Sequence, residues 1–266
     1  MRVGSLFAGI GGFDLAARWM GWETVWYSEV DPYCCDVMAR HFPEARSLGD
    51  VRAVDGSSLE AVDIMVGGFP CQDISEAGKR VGIGGERSGL WREYARLVRE
   101  RRPRWVVIEN VAALLRRGYD VVRGDLRAAG YRVARPVIMS ASQVGAPQER
   151  KRLWIVANAD DAGLQGAERA RQPHAPRPEW APACGEPLRP VGGHWPPGPG
   201  AVGDLPREAD GVPHRAHRLR ALGNAVVPTC AFVIFKAIQA HEDWRRMIVA
   251  RQTNSAPIRG AARGIG

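Results

Sequence analysis

Short apolar segments alternate with amphipathic ones through the first 157 residues of the chain. Apolar runs typical of buried strands occupy Val3–Phe7, Thr24–Glu29, Asp63–Val66, Trp105–Ile108, Val133–Met139 and Leu153–Val156. Helical spacing of apolar residues occupies Gly12–Met20, Pro32–His41 and Leu90–Arg101. Strands and helices in alternation predict an α/β fold built on a doubly wound, mostly parallel sheet.

Local signals support two of these helices. Asp31 is a good N-cap and Pro32 is suited to the first helical position, so a helix should begin there. The helix over Leu90–Arg101 should stop before Pro103, because the residue that precedes a proline disfavours helical geometry.

The character of the chain changes near residue 158. Residues 158–217 hold 11 of the 19 prolines and 9 of the 31 glycines, too many turn formers for long helices. We expect either a small irregular module or a disordered linker there. Helical character returns over Ala225–Trp244, which assigns residues 1–157 and 218–249 to one catalytic domain. Residues 250–266 are expected to be a disordered tail.

The net charge and the cysteine content limit which partners and which kinds of site the chain can have. The formal net charge is +8, and residues 79–135 alone hold 15 Lys and Arg against 6 Asp and Glu. This excess indicates a polyanionic partner. The 5 cysteines include no C-x-x-C pair, which favours a reducing cytosol and argues against a disulfide framework or a metal site. We expect no membrane-spanning run and no signal peptide.

A glycine-rich turn follows the first strand. Phe7-Ala8-Gly9-Ile10-Gly11-Gly12 leads into a helix, and Glu29 ends the second strand. Such a turn lets a ligand approach the backbone, and an acidic residue about 20 positions on typically binds ribose hydroxyls. Asp14 stands where the dinucleotide fingerprint has its third glycine. The turn therefore predicts an adenosine-containing cofactor without choosing between NAD and S-adenosylmethionine.

A cysteine lies just past the third strand, in Gly67-Gly68-Phe69-Pro70-Cys71. A structural cysteine usually sits inside a strand, whereas this one lies at the rim where ligands gather in an open α/β sheet. Cys71 is therefore a candidate nucleophile.

Several motifs occur in a fixed order: Phe7-x-Gly9-x-Gly11, Pro70-Cys71-Gln72, Glu109-Asn110-Val111, Gln148-x-Arg150-x-Arg152 and Gly223-Asn224-Ala225-Val226. In this order they resemble the motifs of the DNA cytosine-5 methyltransferases, the small bacterial and phage type in particular. The resemblance implies a Rossmann-like sheet, S-adenosylmethionine as cofactor and double-stranded DNA as substrate.

The resemblance implies catalytic roles for four residues. Cys71 would add to carbon 6 of a flipped-out cytosine, and Glu109 would protonate the ring as the thiolate adds. Arg150 and Arg152, alternating with Gln148 in extended chain, would orient Glu109 and contact the base or phosphate. The rival interpretation is a solvated basic run. Asn110 would brace the loop.

The cofactor residues are implied in the same way. Phe7 would meet the adenine, Glu29 the ribose and Asp50 the adenine amino group, although a Gly-Asp pair is also common in turns. Gly9 and Gly11 would leave room for the methionine part. Pro70 and Asn224 complete the predicted cofactor site, and Asn224 could instead be an ordinary helix cap.

DNA contacts are expected from three places. Gln72 and Gln148 flank the catalytic motifs, and the loop Gly78–Gly89 carries Lys79, Arg80 and Arg87 as a candidate phosphate-gripping lid. Residues 158–217 would form a short target-recognition module for a site of about 2–5 base pairs. Its candidate guanine readers are Arg169, Arg171, Arg177 and Arg189. The motif before Gly223-Asn224 is reduced and lacks a longer helical pattern.

Three other functions remain possible at this point. The substrate could be RNA, the chain could be a DNA-binding or cofactor-binding relic without activity, or it could be an NAD-dependent oxidoreductase, which leaves Pro70-Cys71-Gln72 unexplained. For the methyltransferase we expect a cytoplasmic monomer, with a restriction endonuclease as a possible partner.

Overall fold

The computed structural model describes residues 1–70, 89–159 and 215–254. Its strands are β1 (Arg2–Leu6), β2 (Glu23–Ser28), β3 (Arg46–Ser47), β4 (Ile64–Gly67), β5 (Trp105–Val111), β6 (Tyr131–Val133), β7 (Val137–Ser140) and β8 (Lys151–Ala159). Its helices are α1 (Gly12–Trp19), α2 (Pro32–His41), α3 (Leu90–Arg101), α4 (Leu114–Arg117), α5 (Tyr119–Ala128), α6 (Arg215–Asn224) and α7 (Pro228–Asn254).

The strands form one sheet in the order β3-β2-β1-β4-β5-β8-β6, with β7 also paired to β8. The four pairings from β3 through β5 are parallel, while β8 runs antiparallel to β5, β6 and β7. Strand order reverses between β1 and β4, where open α/β sheets bind their ligands. The predicted doubly wound, mostly parallel sheet is confirmed.

Several element boundaries differ from the sequence-based ones. The single strand predicted over Val133–Met139 is wrong: β6 and β7 are separate strands that pair with the same edge of β8. Pro136 lies between them and has no backbone N–H to donate to the ladder. In contrast, Asp31 caps α2 as predicted, accepting hydrogen bonds from the backbone N–H groups of Tyr33 and Cys34.

The C-terminal boundaries also change. Residues 215–224 form α6, a helix that the sequence reading did not assign, and β8 runs on to Ala159. α7 begins at Pro228 and ends at Asn254, so residues 250–254 are helical and not part of a disordered tail. Residues 160–214, which include nearly all of the proposed recognition module, lie outside the described residues.

Helices cover both faces of the sheet. On one face α3 and α5 bury an apolar cluster that includes Tyr94, Leu97 and Leu126. On the other face α1 and α7 bury a second cluster with Phe13, Trp154 and Phe235. Apolar burial on both sides explains why the central strands read as continuous hydrophobic runs.

Helix α7 ties the end of the chain to the middle of the sheet. Phe235 is fully buried and its ring centroid lies 4.8 Å from that of Trp22 and 6.2 Å from that of Phe13. Further along, the buried carboxylate of Glu242 accepts a hydrogen bond from the Trp105 indole at 2.9 Å and pairs with Arg104 at 3.0 Å. These contacts fix α7 against the start of β5.

The segment His217–Ile248, which runs from α6 into α7, is long and apolar enough, by length and composition alone, to cross a bilayer. The expectation that no segment reaches this length is wrong in that respect. Buried residues of this stretch, among them Phe235 and Ile238, belong to the core cluster on the sheet. Packing against the sheet therefore accounts for part of its apolar character, since 39% of the apolar window is buried.

Phe235→Ala should destabilise the fold by about 3–5 kcal/mol, because a fully buried aromatic side chain is lost and a cavity remains. Urea denaturation measures the change in unfolding free energy. Met247→Ala is the matched control on the same helix, because Met247 is 44% exposed. Equal destabilisation by both substitutions would contradict a packing role for this face of α7.

Candidate active site at the carboxyl edge of the sheet

The strand order brings most of the described predicted residues to one edge of the sheet. Parallel strands end at the same edge, so the segments that follow β2, β1 and β4 lie side by side with the end of β5. Because β8 is antiparallel, its first residues reach the same edge. Taken from β3 across to β8, this edge carries Asp50, Glu29, Phe7, Gly9, Pro70, Glu109 and Arg152.

The glycine turn and Glu29 are joined by hydrogen bonds. The Gly9 backbone N–H donates to Glu29 Oε2 at 2.7 Å, and Glu29 Oε1 accepts from the N–H groups of Val30 and Asp31 at 2.8 Å. Phe7 adopts a left-handed backbone with φ 54°, which costs a non-glycine residue about 1–3 kcal/mol. Strain of this kind collects at ligand sites, and the hydrogen bond from Gly9 to Glu29 holds the turn against the carboxylate.

The glycines of this turn differ in their surroundings. Apart from its two chain neighbours, no described residue lies within 4 Å of a Cβ placed on Gly9, so the described residues leave space for a ligand there. A Cβ on Gly11 would lie 2.7 Å from the Phe42 ring, and one on Gly12 would lie 2.4 Å from the Val226 carbonyl oxygen. Close packing therefore explains why no side chain stands at Gly11 or Gly12. That Gly11 leaves room for the methionine part of the cofactor stays a prediction.

Asp50 lies at the same edge in a 3₁₀ turn. Its carboxylate accepts hydrogen bonds from the Arg52 backbone N–H at 3.0 Å and from the Arg52 guanidinium, and these bonds lower the pKa of Asp50. The Ser28 hydroxyl holds the preceding Gly49 carbonyl at 2.7 Å. The turn interpretation of Asp50 is therefore realised, and the carboxylate still stands near the end of β2.

Asp14 is a buried acid that sequence reasoning noted only as a departure from a glycine motif. Its carboxylate accepts hydrogen bonds from the hydroxyls of Ser5 at 3.1 Å and Thr24 at 3.0 Å. Burial raises its pKa to about 6. This group links α1 to β1 and β2 directly beneath the glycine turn. An acid in the apolar face of α1 is the signal that could have identified it.

Asn110 braces the segment that leads to Cys71. Its side-chain N–H donates to the Phe69 carbonyl at 3.0 Å, and its side-chain oxygen Oδ1 accepts from the Val111 backbone N–H at 2.9 Å. This agrees with the bracing role expected of Asn110 and anchors the residue before Pro70. Cys71, Gln72, Lys79, Arg80 and Arg87 lie outside the described residues.

Glu109 is 7% exposed at the end of β5. Arg152 Nε lies 3.1 Å from Glu109 Oε1, and a Cβ placed on Gly68 would lie 3.1 Å from Glu109 Oε2. Burial raises the pKa of Glu109 to about 7, and the charges of Arg152 and Arg150 limit the rise. A carboxyl group of this pKa can hold or release a proton near neutrality.

Arg150 connects Glu109 to the C-terminal part of the chain. Its Nη2 donates to the Ala225 carbonyl at 2.9 Å. Gln148 lies in an exposed bend and β8 begins at Lys151, so the predicted extended alternation of Gln148, Arg150 and Arg152 is wrong. Asn224 is exposed and ends α6, next to this contact.

Cys230 is a second thiol near Glu109 that the sequence analysis did not select. It is buried in α7, and its burial and the charge of Glu109 raise its pKa to about 12. A thiol with that pKa stays protonated near neutrality and is a poor nucleophile. Its position leaves Cys71 as the better candidate.

The positive charge of residues 79–135 is spread over more than one surface. Arg116 and Arg117 follow β5 at the carboxyl edge, whereas Arg104 precedes β5 and Arg132 lies in β6 at the opposite edge. The described arginines of this stretch therefore lie at both edges of the sheet.

Glu109→Gln removes the ionisable group and keeps its shape. Because the folded-state pKa is about 7 and the ordinary value 4.5, the folded protein binds more protons than the unfolded chain between these pH values. The unfolding free energy should therefore fall as pH rises through that window, by on the order of 3 kcal/mol more in the wild type than in Glu109→Gln. Urea denaturation at several pH values tests this, and parallel pH profiles would rule it out.

Comparison with known proteins identifies the family of this site. Residues 1–184 match the model of the C-5 cytosine-specific DNA methylases. M2.BsuMI, a type II methyltransferase of Bacillus subtilis, is 36% identical over 59% of this chain and 42% of its own length. M.HhaI of Haemophilus parahaemolyticus, also a type II methyltransferase, is 34% identical over 62% and 51%. The orphan methyltransferase M.SPRI of Bacillus phage SPR is 34% identical over 60% and 38%.

The fold also resembles that of a solved methyltransferase structure. The crystal structure of a protein described as a DNA modification methyltransferase encoded within an E. coli prophage superposes with a TM-score of 0.52 at 24% identity, over 65% of this chain and 51% of that one. The chain spans about half or less of the length of these relatives. Because the family model covers more than half of the chain, the protein belongs to the family of C-5 cytosine-specific DNA methylases.

Proposed function

We propose that this protein transfers a methyl group from S-adenosylmethionine to carbon 5 of cytosine in double-stranded DNA, with Cys71 as the nucleophile. The observation that carries the proposal is Glu109. It is a buried acid with a pKa of about 7, held by Arg152 and packed against the backbone of Gly68. That arrangement provides a proton donor beside the segment that leads to Pro70 and Cys71.

The chemistry needs a thiolate and a proton donor at the same ring. Carbon 5 of cytosine is a weak nucleophile until the Cys71 thiolate adds to carbon 6. Glu109 in its protonated form gives its proton to ring nitrogen 3 as the carbon–sulfur bond forms. After methylation the carbon 5 proton passes to solvent and the carbon–sulfur bond breaks, which releases the Cys71 thiolate. Ring nitrogen 3 returns its proton to the Glu109 carboxylate, and the aromatic ring is restored.

The described residues fit the cofactor. Glu29 offers a carboxylate fixed by three backbone N–H groups, and Gly9 faces space that no described residue fills. When bound, S-adenosylmethionine supplies an electrophilic methyl group. Phe7, Glu29, Asp50 and Pro70 would hold it along the edge from β3 to β4, with Asn224 close to the turn that packs on Gly12.

Arg152 and Arg150 act on Glu109, Arg152 by direct contact and Arg150 through its charge. Arg152 holds one carboxylate oxygen, so the other oxygen can present its proton to the base. Arg150 links this site to the turn before α7. Both charges keep the pKa of Glu109 from rising further, so the acid can also be deprotonated in each cycle.

The target base must leave the duplex to reach Glu109. Residues 158–217 are proposed as the recognition module and Lys79, Arg80, Arg87, Gln72 and Gln148 as DNA contacts. We also propose that the protein is a cytoplasmic monomer and that a cognate restriction endonuclease is its partner. Two of the relatives named above are type II methyltransferases, which supports an endonuclease partner, and one is an orphan methyltransferase.

Cys71→Ala should abolish methyl transfer and leave DNA binding intact. A duplex containing 5-fluorocytosine should trap the wild type as a covalent adduct, because the proton that normally leaves carbon 5 is absent. Denaturing gels detect the adduct, and the same assay with single-stranded RNA separates the two substrates.

Cys230→Ala is the matched control for this experiment, because its thiol is buried beside Glu109 but has a pKa of about 12. It should still form the adduct. An adduct that persists in Cys71→Ala and is lost in Cys230→Ala would move the nucleophile to α7.

Glu29→Ala should weaken cofactor binding by about tenfold to a hundredfold, since it removes charge-assisted hydrogen bonds of roughly 1.5–3 kcal/mol. Calorimetry with S-adenosylmethionine measures this. Glu60→Ala serves as a control, because Glu60 is an exposed acid paired with Arg2 before β4. Unchanged affinity in Glu29→Ala would remove Glu29 from the ribose.

A further inference from the structure

A groove of about 520 Å³ opens beside the end of β5. Its walls come from the last residue of β5, the segment through α4, and β7. The lining residues are Val111, Ala112, Ala113, Leu115, Arg116, Arg117 and Ile138. Leu115 is 39% exposed and Ile138 is 44% exposed, so the apolar wall is open to solvent.

The groove lies at the same edge as Glu109. Val111 follows Glu109 by two residues in β5, a rise of about 7 Å along the strand. Across the sheet Val111 is paired with Arg152, the residue that holds Glu109. A nucleotide presented to Glu109 would therefore have its neighbouring backbone within reach of this groove.

All charged side chains that line the groove are positive. Arg116 and Arg117 stand on it, and no acidic side chain lines it. Within residues 1–70, 89–159 and 215–254, no hydrogen bond or ion pair joins the Arg116 guanidinium to another side chain. A guanidinium fork matches the geometry of a phosphate, and it can make two parallel hydrogen bonds to one.

Resting on the proposed function, we propose that this groove holds the sugar–phosphate backbone of the DNA strand that carries the target cytosine. Arg116 contacts a phosphate next to the flipped nucleotide, with Arg117 beside it. Leu115 and Ile138 form the wall against a deoxyribose ring. The combination of guanidinium groups and an apolar wall fits a sugar–phosphate chain better than it fits an acidic peptide, which would leave the apolar wall uncovered.

The test is the salt dependence of DNA binding by Arg116→Ala. Binding of a short fluorescein-labelled duplex is titrated at several KCl concentrations by fluorescence anisotropy. Loss of one phosphate contact should weaken binding to all sequences alike and reduce the slope of log affinity against log salt by about 0.9. Arg116→Lys, which retains the charge, should keep most of the slope.

Arg127→Ala is the control. Arg127 is also an exposed arginine, but it lies in the last turn of α5, which leads to β6 at the opposite edge of the sheet. It should leave the slope at its wild-type value. Thermal unfolding of each variant confirms that the fold is retained.

Equal slopes for Arg116→Ala, Arg127→Ala and the wild type would overturn the proposal. So would a change of oligomeric state in Arg116→Ala without a change of slope, since the groove would then be a protein contact. The 5-fluorocytosine adduct is assayed in parallel. A wild type that binds DNA but forms no adduct would count against the proposed function and leave the groove result interpretable.

Discussion

Parallel pairing of β1, β4 and β5 is the constraint on which the site depends. Parallel strands must end at one edge, so the glycine turn after β1, the Phe69-Pro70 segment after β4 and Glu109 at the end of β5 become neighbours. The antiparallel strand β8 then adds a cation to that row, because its second residue, Arg152, lies against the carboxylate of Glu109. Cofactor residues and catalytic residues thus share one continuous rim.

The parts that local sequence signals govern could be predicted. Asp31 and Pro32 mark the start of α2, and helical spacing marks α3, because caps and apolar periodicity act within a few residues. The position of Glu109 and Glu29 at strand ends follows from the same reading. Once the strands are taken as parallel, it follows that the residues at their carboxyl ends lie at the same edge of the sheet.

Contacts between distant segments could not be predicted from those signals. Arg150 and Ala225 are 75 residues apart, and the Gly12–Val226 contact depends on how α7 docks. The same docking decides that Cys230 lies near Glu109. Nothing local in the sequence distinguishes Gly9, which faces open space, from Gly11, which packs on Phe42. The break at Pro136 depends on how the edge of β8 is shared between β6 and β7.

The attachment of α7 has a consequence for synthesis on the ribosome. The nascent chain completes β1, β4, β5 and β8 long before α7 emerges. The apolar cluster that includes Phe13, Trp22 and Trp154 is therefore exposed until α7 packs on it. The Trp105 indole can form its hydrogen bond only after Glu242, 137 residues downstream, has been synthesised. Closing so long a loop is slow, and an uncovered apolar face is prone to aggregate in the meantime. Production of soluble protein should therefore depend on chaperone capacity during translation.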